Sequence, residues 1–364
     1  MLIEQLTITA TPKYNFPQPI IDASLPQRFT ELSIYSLRHI PNQPFQLNQQ
    51  NFQQNSAGQG LQTIQLEKRC TSKPQPIPLK PRLEETVVAA VDTSSMKIGE
   101  TDTGTLIAIR GANVWKHRRN YRYLRFGPFI FHITEENRKE VYNTLQNAYF
   151  NLHHESSHHS SPSHSQMQTR IASLLEKWLQ KMLSETLSSG LILFDGSLTS
   201  GTADAPTQRI TEILSTAREG GNVVLAFSKM TRLSLNGYRI TDLPSKHKPP
   251  YLLQMAGIKP KPPLSFLGDV YVARLAKGSY SFRLDIDKET PFERRIKAVE
   301  KLLGNDVVSQ GYPETLRLAH IFCTFTANEV IAMQHFIARR YGLRIVNRPD
   351  MHRLLFGPFG KGER

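Results

Sequence analysis

Thr86-Val87-Val88-Ala89-Ala90-Val91-Asp92 and Leu191-Ile192-Leu193-Phe194-Asp195 decide how this chain folds. Each is a short, continuous apolar run, the pattern of a strand buried on both faces. Such strands need helices above and below them, so the reading is an α/β protein with a mixed sheet and flanking helices. Each run ends on an aspartate. In an open α/β sheet, ligands bind at the edge where the strands finish. A carboxylate placed directly after such a run is costly to leave unpaired. Two of them on neighbouring strands repel unless a cation lies between them. Hard divalent ions such as Mn²⁺ or Mg²⁺ accept this oxygen ligation, and paired metals serve in-line displacement at phosphorus. Taken singly, each aspartate also fits a helix N-cap or turn, and Asp195-Gly196-Ser197 fits it well. The matching contexts favour the cation site.

Working outward, Thr105 to Arg110 reads as a second strand and Tyr121 to Thr134 as a third, interrupted at Gly127-Pro128. A charged helix over Glu135 to Leu152 follows. Another helix, Gln168 to Leu187, carries Ile171, Leu174, Leu175, Trp178 and Met182 on one stripe. Gly190 stops it. A helix at Thr207 to Arg218 leads through Gly220-Gly221 into a strand at Asn222 to Ser228. That strand–helix–strand unit predicts a parallel pair with a right-handed crossover. Pro-rich loops occupy 243–263, and Val270 to Ile286 reads as a strand or hairpin. Helices over Pro291–Leu303, Pro313–Phe322 and Ala327–Tyr341 follow.

Upstream lie a short strand (Leu2 to Thr9), a helix (Phe29 to Leu37) and a Gln/Asn/Pro/Ser-rich stretch at 41–82 that reads as linker or surface loop. Residues 1–82 are therefore expected to be an extension, with the main domain at 83–364. A His/Ser-rich insert at 153–166 holds five of the twelve histidines. Ser-rich chain does not fix ligand geometry, so it reads as a flexible linker rather than a metal site. The repeated Phe-Gly-Pro-Phe at 126–129 and 356–359 is too short to mark a repeat.

The 364 residues carry 45 Lys plus Arg against 31 Asp plus Glu, a formal charge of +14. That surplus points to a polyanionic partner, and nucleic acid fits the footprint. Cys70 and Cys323 are the two cysteines, and neither sits in a CxxC motif. A disulfide scaffold and a zinc ribbon are therefore not expected, and a reducing cytoplasm fits. No apolar run approaches the length of a membrane span, roughly 18 residues. Met1-Leu2-Ile3-Glu4-Gln5 does not open like a signal peptide.

A third carboxylate is expected from the helix before Asp195, either Glu176 or Glu185. From the turn near Ser188-Ser189, Asp195 stands about 16–20 Å up its strand. Glu176 stands about 18–20 Å up the helix and Glu185 only about 5–6 Å. The helical wheel favours Glu185, but height governs, so Glu176 is the candidate. Lys116, Arg118, Arg119, Arg122 and Arg125 interleave with Tyr121 and Tyr123. Strand alternation puts the tyrosines on one face and Arg118 and Arg122 on the other. Such a ribbon suits a phosphate backbone and a stacked base; two core tyrosines on a solvated hairpin would look the same. Arg339, Arg340, Arg344, Arg348 and Arg353 form a second basic region.

Val-Val-Ala-Ala-Val-Asp92-Thr-Ser, Leu-Ile-Leu-Phe-Asp195-Gly-Ser-Leu, Val-Val-Leu-Ala-Phe-Ser-Lys229 and Gly-Tyr312-Pro-Glu-Thr-Leu-Arg-Leu-Ala-His320 together resemble the NurA nuclease family over about 83–322. The resemblance implies an RNase H-like fold and a homodimer. It also implies Mn²⁺-dependent DNA cleavage and partnership with a HerA-type hexameric translocase in end resection. By position it assigns Asp92, Glu176 and Asp195 to the metal, adds Tyr312 and His320 to the catalytic centre, and makes Lys229 a phosphate contact. Without it, His320 reads as a core histidine and Lys229 as a strand-end lysine. Pro313 suits a first helical turn and puts Tyr312 at the helix mouth. One departure is Thr93, where the family has glycine after the first aspartate. Rival expectations are a catalytically silent DNA-binding adaptor on the same fold and another RNase H-like nuclease acting on RNA.

Overall fold

The alternation of Val88 and Ala90 against Ala89 and Val91 organises the whole protein, because the two sets enter different cores. The computed structural model describes residues 8–10, 24–38, 40, 43–47, 75–150, 162–202, 205–231, 233–235, 238–242, 247–278 and 280–346. Twelve strands share one mixed sheet. They are β1 (Ile8–Ala10), β2 (Pro44–Leu47), β3 (Pro76–Pro78), β4 (Val88–Thr101), β5 (Gly104–His117), β6 (Asn120–Thr134), β7 (Leu191–Asp195), β8 (Val223–Ser228), β9 (Tyr251–Gln254), β10 (Gly268–Arg274), β11 (Phe282–Asp287) and β12 (Arg344–Val346). The order is β1-β6-β5-β4-β7-β8-β11-β10-β9-β3, with β2 on the far half of β4 and β12 on β2. β4, β5 and β6 form an antiparallel meander, whereas β7 and β8 run parallel to β4.

Helices cover both faces, as the doubly apolar runs require. On one face, Ala89, Val91, Ile192, Phe194 and Ala226 pack beneath α1 (Ser24–Leu37), α2 (Arg138–Phe150), α3 (Met167–Thr186) and α4 (Thr207–Glu219). On the other, Val88, Ala90, Leu191, Leu193 and Phe227 pack beneath α5 (Phe292–Asn305) and α6 (Glu314–Cys323). A third core, with Phe45, Ile98 and Leu106, seats α7 (Ala327–Arg340) on the far end of β4. No helix among the described residues is long and apolar enough to cross a membrane.

Several elements differ from the sequence expectation. β4 does not finish at Asp92 but runs on to Thr101, because β5 stays paired along its length. β6 passes through Gly127-Pro128 without breaking; the register shifts between Ile109 and Gly111 on β5 to accommodate it. The Pro-rich 243–263 stretch contains β9, which pairs with β10 and β3. The described parts of residues 1–82 join the same sheet as β1, β2 and β3, and Phe29 of α1 packs on Phe129 at 5.1 Å. The rest of the 41–82 stretch, Cys70, residues 153–161 of the His/Ser insert, Arg348, Arg353 and the second Phe-Gly-Pro-Phe lie outside the described residues.

Candidate metal centre

Asp92 and Asp195 follow directly on the paired residues Val91 and Phe194 of the parallel strands β4 and β7. Strand alternation points both side chains the same way as Ala90 and Leu193, toward α6. There Asp92 Oδ2 meets His320 Nδ1 at 2.7 Å, and its Oδ1 accepts the Thr93 N–H at 2.7 Å. Asp195 Oδ2 accepts from Lys229 Nζ at 2.6 Å. Lys229 follows β8, whose Phe227 lies level with Asp195. The same ammonium sits 5.7 Å from the centre of the Tyr312 ring. Tyr312 precedes α6 and is wedged against Phe282 and Phe227, with ring centroids 5.2 and 6.1 Å away.

The electrostatics are those of a cation site. Burial pushes the Asp195 carboxyl upward and the charge of Asp92 adds to it, while Lys229 and His320 pull the other way. Burial and both carboxylates push the Tyr312 hydroxyl far above its ordinary value, so it stays a neutral donor. That hydroxyl is buried beside Asp195 without a well-formed hydrogen bond to it. Two carboxylates close enough to feel each other's charge, an imidazole bonded to one and a phenol beside the other fit a divalent cation with an anionic oxygen beside it.

Thr93 does not disturb the arrangement. The chain makes no turn after Asp92, since Thr93 is an in-register strand residue opposite Gly111. After Asp195 the chain does turn, and Gly196 adopts φ +121°, a conformation that favours glycine.

Two supports escaped the sequence reading. Asp285 is fully buried; its Oδ2 accepts the Leu198 N–H at 3.0 Å and so ties down the turn after Asp195. Arg283 grips both Asp285 oxygens at 2.7 and 2.6 Å. Asp306 accepts from the Thr315 N–H (3.0 Å), the Val307 N–H (2.8 Å) and the Tyr121 hydroxyl (3.0 Å), anchoring the start of α6. Nothing in the spacing around Asp306 announces this. The Arg283-Asp285-Asp287 alternation was a signal, but it reads as a solvated face.

Other expected residues lie elsewhere. Glu176 is at the right height, because Leu175 and Leu179 of α3 lie against Gly111, the partner of Thr93. It is on the wrong face: α3 packs over Ala89 and Val91, and the sheet separates it from Asp92. Glu176 instead accepts from Gln180 Nε2 at 2.9 Å, and its charge is felt by Tyr149. Glu185 pairs with Lys181 at 3.7 Å. Lys116 is buried against Asp306 at 3.7 Å and lies over the Tyr121 ring, so it is no phosphate contact. It is paired with Val88, well down β4 from Asp92. At the rise of an extended strand that separation is about 13 Å. Arg118 and Arg119 form the tip of the β5–β6 hairpin, where Arg118 pairs with Glu85 at 2.9 Å. Arg122 is half-buried opposite Trp115, in the same hairpin. Tyr121 is bound to Asp306, and Tyr123 stacks on Phe322 at 4.2 Å, so neither ring is open to a base.

No protein-family model and no curated protein matches the chain. Among solved structures it is similar to the NurA nuclease from Sulfolobus solfataricus, with 16% identity, 72% of this chain and 87% of that chain covered, and a TM-score of 0.43. It is also similar to endonuclease V from Bacillus subtilis, with 10% identity, 71% and 88% coverage, and a TM-score of 0.31. The functional reading rests on the side chains themselves.

Proposed function

We propose that the protein is a metal-dependent nuclease that hydrolyses phosphodiester bonds in DNA. The observation that carries this reading is the meeting of Asp92, Asp195, Lys229, Tyr312 and His320 at one sheet edge. Asp92 and Asp195 would hold Mn²⁺ or Mg²⁺, which when bound supplies an acidified water and a charge for the leaving oxygen. Asp92 engages His320 at Nδ1, so Nε2 is the atom that takes up or returns a proton. Lys229 exchanges Asp195 for a phosphate oxygen, and the Tyr312 hydroxyl donates to another.

The strand order β6-β5-β4-β7-β8, with three antiparallel strands followed by two parallel to β4, supports an RNase H-like reading of the sheet. The motif resemblance extends the proposal to a cytoplasmic homodimer that resects DNA ends in double-strand-break repair with a HerA-type hexameric ATPase.

The test is digestion of linear single- and double-stranded DNA, RNA and hybrid, with Mn²⁺ or with EDTA. Asp92→Ala and Asp195→Ala should each lower DNA cleavage by about 100-fold or more. Undiminished cleavage in both variants rejects the assignment, and preference for RNA moves it to the RNA-acting rival. The silent-adaptor reading has one observation in its favour: Lys229 neutralises Asp195 while Glu176 stays on the far face. It requires salt-dependent DNA binding with no metal-dependent turnover.

A further inference from the structure

One side chain beside the carboxylates belongs to a different chemistry. Cys323, the last residue of α6, is fully buried, and the catalytic reading has no use for it. One ligand atom from each of Asp92, His320 and Cys323 lies within 4.8 Å of the other two. His320 and Cys323 are an i, i+3 pair on α6, so they share a helix face. Asp92 meets that face from β4.

The set offers one oxygen, one nitrogen and one sulfur. Mg²⁺ and Mn²⁺ do not select sulfur, whereas thiolate with imidazole and carboxylate is a Zn²⁺ donor set. Zn²⁺ also exceeds Mn²⁺ in affinity for most nitrogen, oxygen and sulfur sites. Charge agrees as well. A carboxylate and a thiolate together cancel a divalent ion, which leaves a buried site neutral. The His320 side chain is 41% exposed and marks the way in.

We propose that Asp92, His320 and Cys323 form a Zn²⁺ site that shares Asp92 with the Mn²⁺/Mg²⁺ site, so that Zn²⁺ competes with the activating metal. On binding, the Cys323 Sγ–H bond breaks, its proton passes to solvent, and a sulfur–zinc bond forms. That bond replaces the hydrogen bond Cys323 donates to the His320 carbonyl, 3.2 Å long. His320 ligates through Nδ1 as the neutral imidazole with its proton on Nε2, so zinc takes the place of the Nδ1–Asp92 hydrogen bond. The fourth position falls to water or Asp195. Competition with the activating metal rests on the nuclease reading; the site itself does not.

The experiment titrates metal-free, full-length protein with Co²⁺ and then Zn²⁺. One Co²⁺ per chain should bind with a thiolate-to-cobalt charge-transfer band in the near ultraviolet, which Zn²⁺ then bleaches. Cys323→Ser should abolish the band and weaken Zn²⁺ by about 100-fold or more, with a much smaller effect on Mn²⁺. Cys70→Ser should keep the band. Melting of metal-free Cys323→Ser and Cys323→Ala shows whether either is folded, and the wild-type spectrum decides the question if neither is. Cobalt binding without the band overturns the proposal, as does a band that survives Cys323→Ser but not Cys70→Ser. DNA cleavage with Mn²⁺ is assayed on the same preparation. A band without cleavage defeats the nuclease reading alone, and cleavage without a band defeats the zinc site alone.

Discussion

Asp92→Asn separates a residue kept for folding from one kept for a cation. The two aspartates sit on neighbouring strands, next to the paired residues Val91 and Phe194. Adjacent strands lie about 4.8 Å apart. At an effective dielectric of about 20, two like charges at roughly 5 Å repel by about 3 kcal/mol before their partners are considered. Lys229 and His320 offset part of this. The net strain left is on the order of 1–2 kcal/mol. The amide keeps an oxygen for the Thr93 N–H and weakens one bond to His320. Weakening a single hydrogen bond costs about 1 kcal/mol. The two changes nearly cancel. Metal-free Asp92→Asn should therefore melt within a few degrees of wild type, or above it. Mn²⁺ at about 100 times its Kd stabilises a protein that binds it by about 2.7 kcal/mol. For a chain of 364 residues that is roughly 3–4 °C in Tm. Wild type should show this rise and the variant should not. The assay is thermal melting followed by circular dichroism, in EDTA and then in excess Mn²⁺. Two results refute the reasoning: a metal-free variant destabilised by about 3 kcal/mol or more, which marks Asp92 as structural, or a variant that retains the full Mn²⁺ shift.

Asp285→Ala leaves the Arg283 guanidinium buried and unpaired. It should cost about 3–5 kcal/mol in chemical denaturation. A loss below about 1 kcal/mol, the scale of an exposed pair, would show that the ion pair does not hold the turn after Asp195. His132 is almost fully buried, and burial, helped by neighbouring His164, brings its pKa down to about 4. The unfolded chain takes up a proton near pH 6.5 while the folded chain stays neutral until about 4, so stability is full above 6.5 and falls as pH drops through that window. The loss should reach about 3 kcal/mol. Urea titrations of wild type and His132→Gln across pH 4–7 should differ in slope, and parallel curves would remove His132 from the account.

How much of this was legible depends on which face a residue occupies. The apolar runs before Asp92 and Asp195 carry their own alternation, and that alternation puts both carboxylates on the Ala90 and Leu193 face. Tyr312 and His320 reach the same place through α6, but only the motif resemblance singles them out from a helix that otherwise reads as core. Glu176 shows where one-dimensional reasoning stops. Its height along α3 is right, yet height carries no sign, and α3 lies on the Val91 and Phe194 side. The Tyr121–Tyr123 ribbon fails for a related reason: alternation separates the tyrosines from Arg122 but does not say which set meets α6, and Arg118 lies in the hairpin turn where alternation does not apply. Arg283 and Asp285 give no sign of burial in the sequence, because charge on alternate positions describes a wet face equally well, and it takes the Leu198–Thr199 turn and Phe266 closing over them to make that face dry. The consequence for the centre is specific. A further ligand for a cation between Asp92 and Asp195 comes from the α6 side, from bound phosphate or from water, and on the α6 side His320 and the Tyr312 hydroxyl lie beside the two carboxylates.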